Sequence, residues 1–200
     1  MNLTFVFLLS YLIGSIPFCY ILAYLCNGVD LRKTGSGNVG ATNLYRVCGF
    51  RFFVYGFILD FLKGYALLFI ISHFFKLSDG YLYIIAFSVL IGHAFPIFLN
   101  FQGGKGVSTG AGVVFFFYPF VFLAVFFMFA VLFLLFKRVS LASIVSSLFL
   151  VFFAVYFHFQ RYLTLKDMWF LIFIGCLIVL FHKKNIIRLL KGEEERIDER

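Results

Sequence analysis

Ser108-Thr109-Gly110-Ala111-Gly112-Val113-Val114-Phe115-Phe116-Phe117-Tyr118-Pro119-Phe120-Val121 runs on without a charge to Phe136 and carries a proline near its middle. The whole stretch is too long for one ordinary crossing of a hydrocarbon core roughly 30 Å thick. Proline breaks or kinks a helix because it lacks the backbone N–H and its ring clashes with the preceding turn. The reading is therefore two short helices, residues 109–117 and 120–136, forming a hairpin that enters the bilayer and returns. Such a break is tolerated only where protein or a water-filled cavity satisfies the freed backbone groups. The alternative is one long tilted helix.

Working outward, further apolar runs occupy residues 3–25, 52–75, 81–99, 141–157 and 168–181. Hydrophobic residues make up 63% of the chain and charged ones 13%, with a mean hydropathy of +1.03. A water-soluble domain of that composition would expose large apolar patches. The fold class is accordingly all-α, a polytopic integral membrane protein of about seven transmembrane helices with the broken hairpin near Pro119, and six if the long helix is continuous. Residues 1–200 read as a single membrane-embedded domain, with a short polar tail from about residue 192 expected to fray in solvent.

Lysine and arginine fall in four groups: Arg32, Lys33, Arg46 and Arg51; Lys105; Lys137 and Arg138; and Lys183, Lys184, Arg188 and Lys191. The positive-inside rule puts all four in the cytoplasm. The loop at residues 76–80 and the stretch 159–167 then face outward, although Arg161 and Lys166 run against the rule in the second. No charge precedes the first apolar run, which argues against a cleaved signal peptide and for an outward-facing amino end. The net charge of +8 does not point to nucleic acid, because the aromatic residues lie in the spans and not on a soluble basic patch. Cys19, Cys26, Cys48 and Cys176 lack CxxC spacing and read as packing residues, so neither metal nor cofactor is expected.

What remains polar gathers into three islands, residues 30–46, 103–106 and 182–194. In the first, Gly35-Ser36-Gly37-Asn38-Val39-Gly40 matches GxGxxG, yet an apolar helix precedes it and no βαβ unit can be drawn. The physics survives the failed motif: Gly35 and Gly37 let backbone N–H groups approach an anion, Ser36, Asn38, Thr42 and Asn43 add neutral donors, and Arg46 adds a planar cation. In the second, Gly103-Gly104-Lys105-Gly106 lacks the spacing of a nucleotide-binding loop, since Leu99 stands where the earlier glycine belongs and Gly106 where Ser or Thr belongs. Three glycines and a lysine before a helix start at Ser108 or Thr109 still make a one-phosphate cradle. Asp60 and Lys63, three apart in an apolar helix, read as a structural pair lining the site, and His93 as a packing or hydrogen-bonding residue. In the third island His182, Asn185 and Leu189 share a helix face, so imidazole and amide can address one ligand.

Taken together, Gly14-Ser15-Ile16-Pro17-Phe18, the Asp30-to-Arg46 island, Asp60-Phe61-Leu62-Lys63-Gly64, Gly92-His93-Ala94-Phe95-Pro96, Gly103-Gly104-Lys105-Gly106-Val107-Ser108-Thr109 and the last island resemble the bacterial acyl-phosphate:glycerol-3-phosphate acyltransferase family (PlsY), in order and over nearly the whole chain. The resemblance implies a multi-pass enzyme of the bacterial plasma (inner) membrane with a cytoplasmic active site and carboxyl end. It would move a fatty acyl group from acyl phosphate to the sn-1 hydroxyl of glycerol 3-phosphate, giving lysophosphatidic acid and phosphate as the first step of phospholipid synthesis. It also implies a soluble partner enzyme that makes the acyl phosphate. Catalytic roles fall on Ser36, Arg46, Lys105, His182 and Asn185, and a structural role on Glu194, with Glu193 as the alternative register. Ser108 departs from the alanine usual at its position. No histidine has an aspartate five positions on, so the His-x4-Asp chemistry of acyl-CoA and acyl-carrier-protein enzymes is not expected. Two other classes compete: a carrier for phosphate esters and a scaffold that binds lipid headgroups.

Overall fold

The computed structural model describes residues 3–75 and 77–197. The expected outward amino end, Lys76 of the expected outer loop and the end of the tail lie outside the described residues. Ten α-helices carry the described chain: α1 (Leu3–Gly14), α2 (Phe18–Asn27), α3 (Ala41–Cys48), α4 (Phe50–Phe75), α5 (Asp79–Ala94), α6 (Val107–Phe117), α7 (Pro119–Phe136), α8 (Val139–Phe159), α9 (Leu165–Phe181) and α10 (Lys183–Leu190), with one 3-10 turn at Ile97–Leu99 and no strand among the described residues. They fall into two compact units that divide between Phe116 and Phe117.

The first unit is built on α5, which buries Leu82, Ile85, Ala86, Val89 and Leu90. Between membrane helices there is little hydrophobic driving force, so close backbone approach at small residues supplies the packing. Here it is reciprocal. A Cβ on Gly14 of α1 would lie 2.2 Å from the Val89 carbonyl oxygen, and one on Gly92 of α5 2.2 Å from the Tyr11 carbonyl oxygen. The pairing of α4 with α6 repeats the device: a Cβ on Gly64 would lie 2.5 Å from the Thr109 carbonyl oxygen, and one on Gly112 2.1 Å from the Phe61 carbonyl oxygen. Phe115 packs its ring against Phe61 and Tyr65 beside that contact. Short α3 lies on α2 and α4, burying Ala41 and Leu44 with Cys19, Ala23 and Leu31.

One break was not anticipated. The apolar run at residues 3–25 is two helices, parted at Ser15 to Pro17, because Pro17 has no N–H to give the preceding turn. At the break the Ile16 carbonyl accepts hydrogen bonds from Phe18 N at 3.2 Å and from Lys63 Nζ at 3.0 Å. The break expected before Pro119 does occur: α6 and α7 are parted at Tyr118, whose φ is −140° and ψ 70°. The second arm is longer than a half-crossing, since α7 at 18 residues passes on its own as a span. Residues 3–27, 50–75, 79–99, 119–136 and 139–159 are each long and apolar enough to cross, α9 with α10 makes a sixth bent by 61°, and α6 is too short.

In the second unit α8 packs between α7 and α9. Its buried face sets the small residues Ala142, Ser143, Ser146, Ser147 and Ala154 among Ile144 and Leu150, and a Cβ on Gly175 of α9 would lie 2.8 Å from the Ser147 carbonyl oxygen. Helix α7 is apolar on every side and buries only Val121, leaving Phe120, Phe127 and Leu135 outward as a lipid-facing surface. A capping box starts α9, Thr164 Oγ1 accepting from Asp167 N at 3.3 Å and Asp167 Oδ2 accepting from Thr164 N at 2.8 Å. The tail does not fray over its described length. Ile197 N donates to the Lys137 carbonyl oxygen at 2.8 Å and Arg138 Nε to that of Glu194 at 3.0 Å, tying it to the α7–α8 turn.

Candidate active site

The first island folds around one side chain. Asn43, on the first turn of α3 and 1% exposed, donates from Nδ2 to the carbonyl oxygens of Leu31 at 3.1 Å and Thr34 at 2.9 Å, and accepts from Ser36 N at 2.8 Å. Both of its N–H donors are spent on the loop. Gly35 has a φ of +62°, and a Cβ there would lie 2.3 Å from Asn43 Oδ1, so only glycine lets the loop close over this amide. Arg32 anchors the outer edge, pairing with Asp30 at 2.7 Å and lying over the Tyr20 ring, 5.5 Å from its centroid. The Arg32 guanidinium holds the Asp30 carboxyl below the usual carboxylate range. Ser36, Asn38, Thr42 and Arg46 are half-buried around this loop, and Gly37 has a φ of +72°. At the end of α3, burial and the neighbouring Cys26 thiol push Cys48 up to about 12, which removes it as a thiolate nucleophile near neutral pH.

The second island docks on the end of α5. Gly104 N donates to the His93 carbonyl oxygen at 3.1 Å, and a Cβ on Gly103 would lie 2.2 Å from that same oxygen. A Cβ on Gly104 would meet His93 Nε2 at 2.2 Å on one side and the Val39 carbonyl oxygen at 2.9 Å on the other. The two glycine loops, far apart in sequence, therefore meet at Gly104. Lys105 is half-buried beside it, Gly106 turns with a φ of +78°, and α6 begins at the next residue. Thr109, one turn into α6, is wholly buried and its Oγ1 makes no hydrogen bond within the protein.

Beneath the loops Asp60, Lys63 and His93 form a buried cluster. Lys63 Nζ lies 2.8 Å from Asp60 Oδ1, His93 Nδ1 3.7 Å from the same oxygen, and Cys19 Sγ donates to Asp60 Oδ2 at 3.2 Å. A cleft lined by Ser15, Phe18, Val39, Lys63, His93 and Gly104 opens between this cluster and the loops. The pairing of Asp60 with Lys63 was legible from their spacing. The link to His93, and through it to Gly104, was not, because it joins separate helices.

In the second unit His182 stands at the bend between α9 and α10, buried, with Nδ1 2.8 Å from the Ile178 carbonyl oxygen. A carbonyl only accepts, so Nδ1 carries the proton and a neutral ring keeps its lone pair on Nε2. Asn185 Nδ2 donates to Glu194 Oε1 at 2.7 Å, so the docked tail sets the amide of α10. Glu194, 6% exposed, keeps a second buried carboxylate oxygen without a hydrogen-bond partner.

Spans, glycine loops and buried ionic groups define a multi-pass helical membrane protein. Comparison with known proteins narrows the class. Residues 4–192 match the family model described as Glycerol-3-phosphate acyltransferase. The glycerol-3-phosphate acyltransferase of Aquifex aeolicus (strain VF5) is 41% identical over 98% of this chain and 100% of its own length. That of Wolbachia pipientis subsp. Culex pipiens (strain wPip) is 39% identical over 96% of each chain. Among solved structures, the glycerol 3-phosphate form of PlsY (YgiH), an integral membrane glycerol 3-phosphate acyltransferase, superposes with a TM-score of 0.88 at 40% identity, covering 98% of this chain and 96% of that one. Its lysophosphatidic acid form gives 0.86 at 38% identity, covering 98% and 95%. The chain belongs to the glycerol-3-phosphate acyltransferase family of PlsY.

Proposed function

We propose that this protein transfers a fatty acyl group from acyl phosphate to the sn-1 hydroxyl of glycerol 3-phosphate, releasing phosphate and forming lysophosphatidic acid in the bacterial inner membrane. The observation that carries the reading is the meeting of the two glycine loops at Gly104, with Lys105 beside it. Backbone amides near a single lysine suit a terminal phosphate group, which both reactants carry.

An acyl phosphate is a mixed anhydride with a good leaving group, so the protein need supply mainly positioning and charge neutralisation. In this scheme Arg46, Lys105, Thr109 and the amides of Gly35, Gly103 and Gly106 hold the phosphates, while Gly37 and Gly104, whose N–H groups donate to the Thr34 and His93 carbonyl oxygens, shape the loops. Ser36 and Asn185 hydrogen-bond the reacting carbonyl and the glycerol hydroxyl, with Asn38 and Thr42 as further donors. Asn43 acts by shaping the loop, since its N–H donors are already engaged. The hydroxyl oxygen bonds to the acyl carbon, the bond from that carbon to the phosphate oxygen breaks, and the hydroxyl proton passes to His182 Nε2 or to the departing phosphate. The tautomer that Ile178 imposes on His182 supports the first route. The reaction is proposed to run at the cytoplasmic face, with the soluble maker of acyl phosphate as the protein's partner.

The test is direct. Detergent-solubilised protein is given acyl phosphate and glycerol 3-phosphate, and phosphate and lysophosphatidic acid are measured. Turnover needs no closed membrane, which separates an enzyme from a carrier. Lys105→Ala is expected to lower kcat/KM at least a hundredfold, mainly through KM for glycerol 3-phosphate. Absence of lysophosphatidic acid from the wild-type reaction would reject the reading.

A further inference from the structure

The pair Asp60 and Lys63, with His93, is more than buried ballast for the helices. The His93 ring is 7% exposed and has two distinct edges: Nδ1 faces the Asp60 carboxylate at 3.7 Å, and Nε2 faces the place where Gly104 has no side chain. Asp60 is held in turn by Lys63 at 2.8 Å and by the Cys19 thiol at 3.2 Å. Lys63 donates to the Ile16 carbonyl at the break before Pro17. A chain of contacts thus runs from the helix break through three polar side chains to the backbone of the second glycine loop. An ionic pair retained at this depth is costly unless every partner is satisfied.

We propose that His93 is a positioning residue for glycerol 3-phosphate binding. Its ring, clamped from behind by Asp60 and Lys63, is the surface against which Gly104 lies, and it sets where the loop amides and the Lys105 ammonium stand. The ring acts through the loop and does not touch the reacting atoms. The inference rests on the functional reading above only in naming glycerol 3-phosphate as the phosphorylated ligand. Removing the ring leaves a void behind a glycine backbone, and a preorganised anion cradle loses affinity when its supporting shell loosens.

The coupling between ring and glycine is what a merely structural role would not move. A Cβ at position 104 collides with the ring and, less severely, with the Val39 carbonyl. The damage from Gly104→Ala should therefore shrink when the ring is absent. Glycerol 3-phosphate binding is measured by calorimetry on the full-length protein in detergent, without acyl donor, for wild type, His93→Ala, Gly104→Ala and the double variant. His93→Gln serves as the bulk-retaining control, and monodisperse elution shows that each variant folds.

Expected results are a Kd raised at least tenfold by His93→Ala, an intermediate value for His93→Gln, and a Gly104→Ala penalty at least fivefold smaller in the His93→Ala background. In turnover assays of His93→Ala, KM for glycerol 3-phosphate should follow the Kd while kcat stays within threefold. Equal Gly104→Ala penalties in both backgrounds, or a wild-type Kd for His93→Ala, would overturn the proposal. Wild-type protein that binds glycerol 3-phosphate but forms no lysophosphatidic acid would reject the acyl-transfer reading and leave this coupling to stand or fall on the Kd values. Absence of binding by the wild type would overturn both.

Discussion

Asn43 makes three hydrogen bonds to backbone from one buried amide, and with them it determines the course of the first glycine loop. Leaving a buried polar group unpaired costs about 1–3 kcal/mol, and Asn43→Ala leaves two carbonyls and one N–H without their partner. Thermal unfolding should shift down by several degrees, and kcat/KM should fall at least tenfold because the Ser36 amide is no longer held. Asn43→Asp keeps the acceptor and loses both donors, so it should recover the Ser36 contact and little of the stability. At the rim, Asp30 has a folded-state pKa depressed by Arg32. A depressed carboxyl contributes above its unfolded value and loses that contribution as pH falls through the folded one. The ratio of wild-type to Asp30→Asn activity should therefore stay constant from about pH 5 to about pH 9, and a pH-rate profile of the two proteins checks it. Both loops were legible as glycine-rich turns among basic residues, since glycine spacing and basic residues are local signals. The role of Asn43 was not, because a donor free to meet a ligand and a donor spent on the loop are spelled identically.

Helix pairing depends on glycines that face another backbone. On α6, a Cβ at Gly112 would lie 2.1 Å from the Phe61 carbonyl oxygen, which cannot rotate away as a side chain would. Gly112→Val should force α4 and α6 apart and cost more than the roughly 1–3 kcal/mol typical of overpacking, seen as a large fall in unfolding temperature in detergent. Phe127→Leu on the outward face of α7, where the ring is 69% exposed, should change it little. The α6–α7 break was readable, since Pro119 interrupts an otherwise uniform run. The equally real break before Pro17 was passed over in a run that reads as one crossing, although Gly14-Ser15-Ile16-Pro17 carried the same proline signal. At that break Lys63 of another helix donates to the Ile16 carbonyl, and no window along α1 contains it.

For the molecule as a whole, the proposed topology puts Lys105 and Lys191 on the cytoplasmic side. Single cysteines introduced at these positions in a background freed of the native cysteines should both be blocked by a membrane-permeant maleimide and spared by an impermeant one in intact cells. Labelling of one and not the other by the impermeant reagent would defeat the shared-site reading. The docked tail belongs to this scale too, since Glu194 reaches back to Asn185 and Ile197 to the α7–α8 turn. A run of alternating charge reads as solvated because its few anchoring bonds leave no hydrophobic pattern behind.

By itself the chain determined that this is a helical membrane protein, where its apolar segments lie, and which family its motifs belong to. Hydropathy, proline breaks and glycine-rich loops act over a few residues and are written locally. Only the tertiary structure decided that Asn43 shapes a loop, that Lys63 bonds the Ile16 carbonyl at the helix break, that His93 stands behind Gly104 and that the tail orients Asn185. Each of these is a hydrogen bond or a close approach between residues distant along the chain, where burial makes an unpaired group costly, and that cost has no signature until the partners meet.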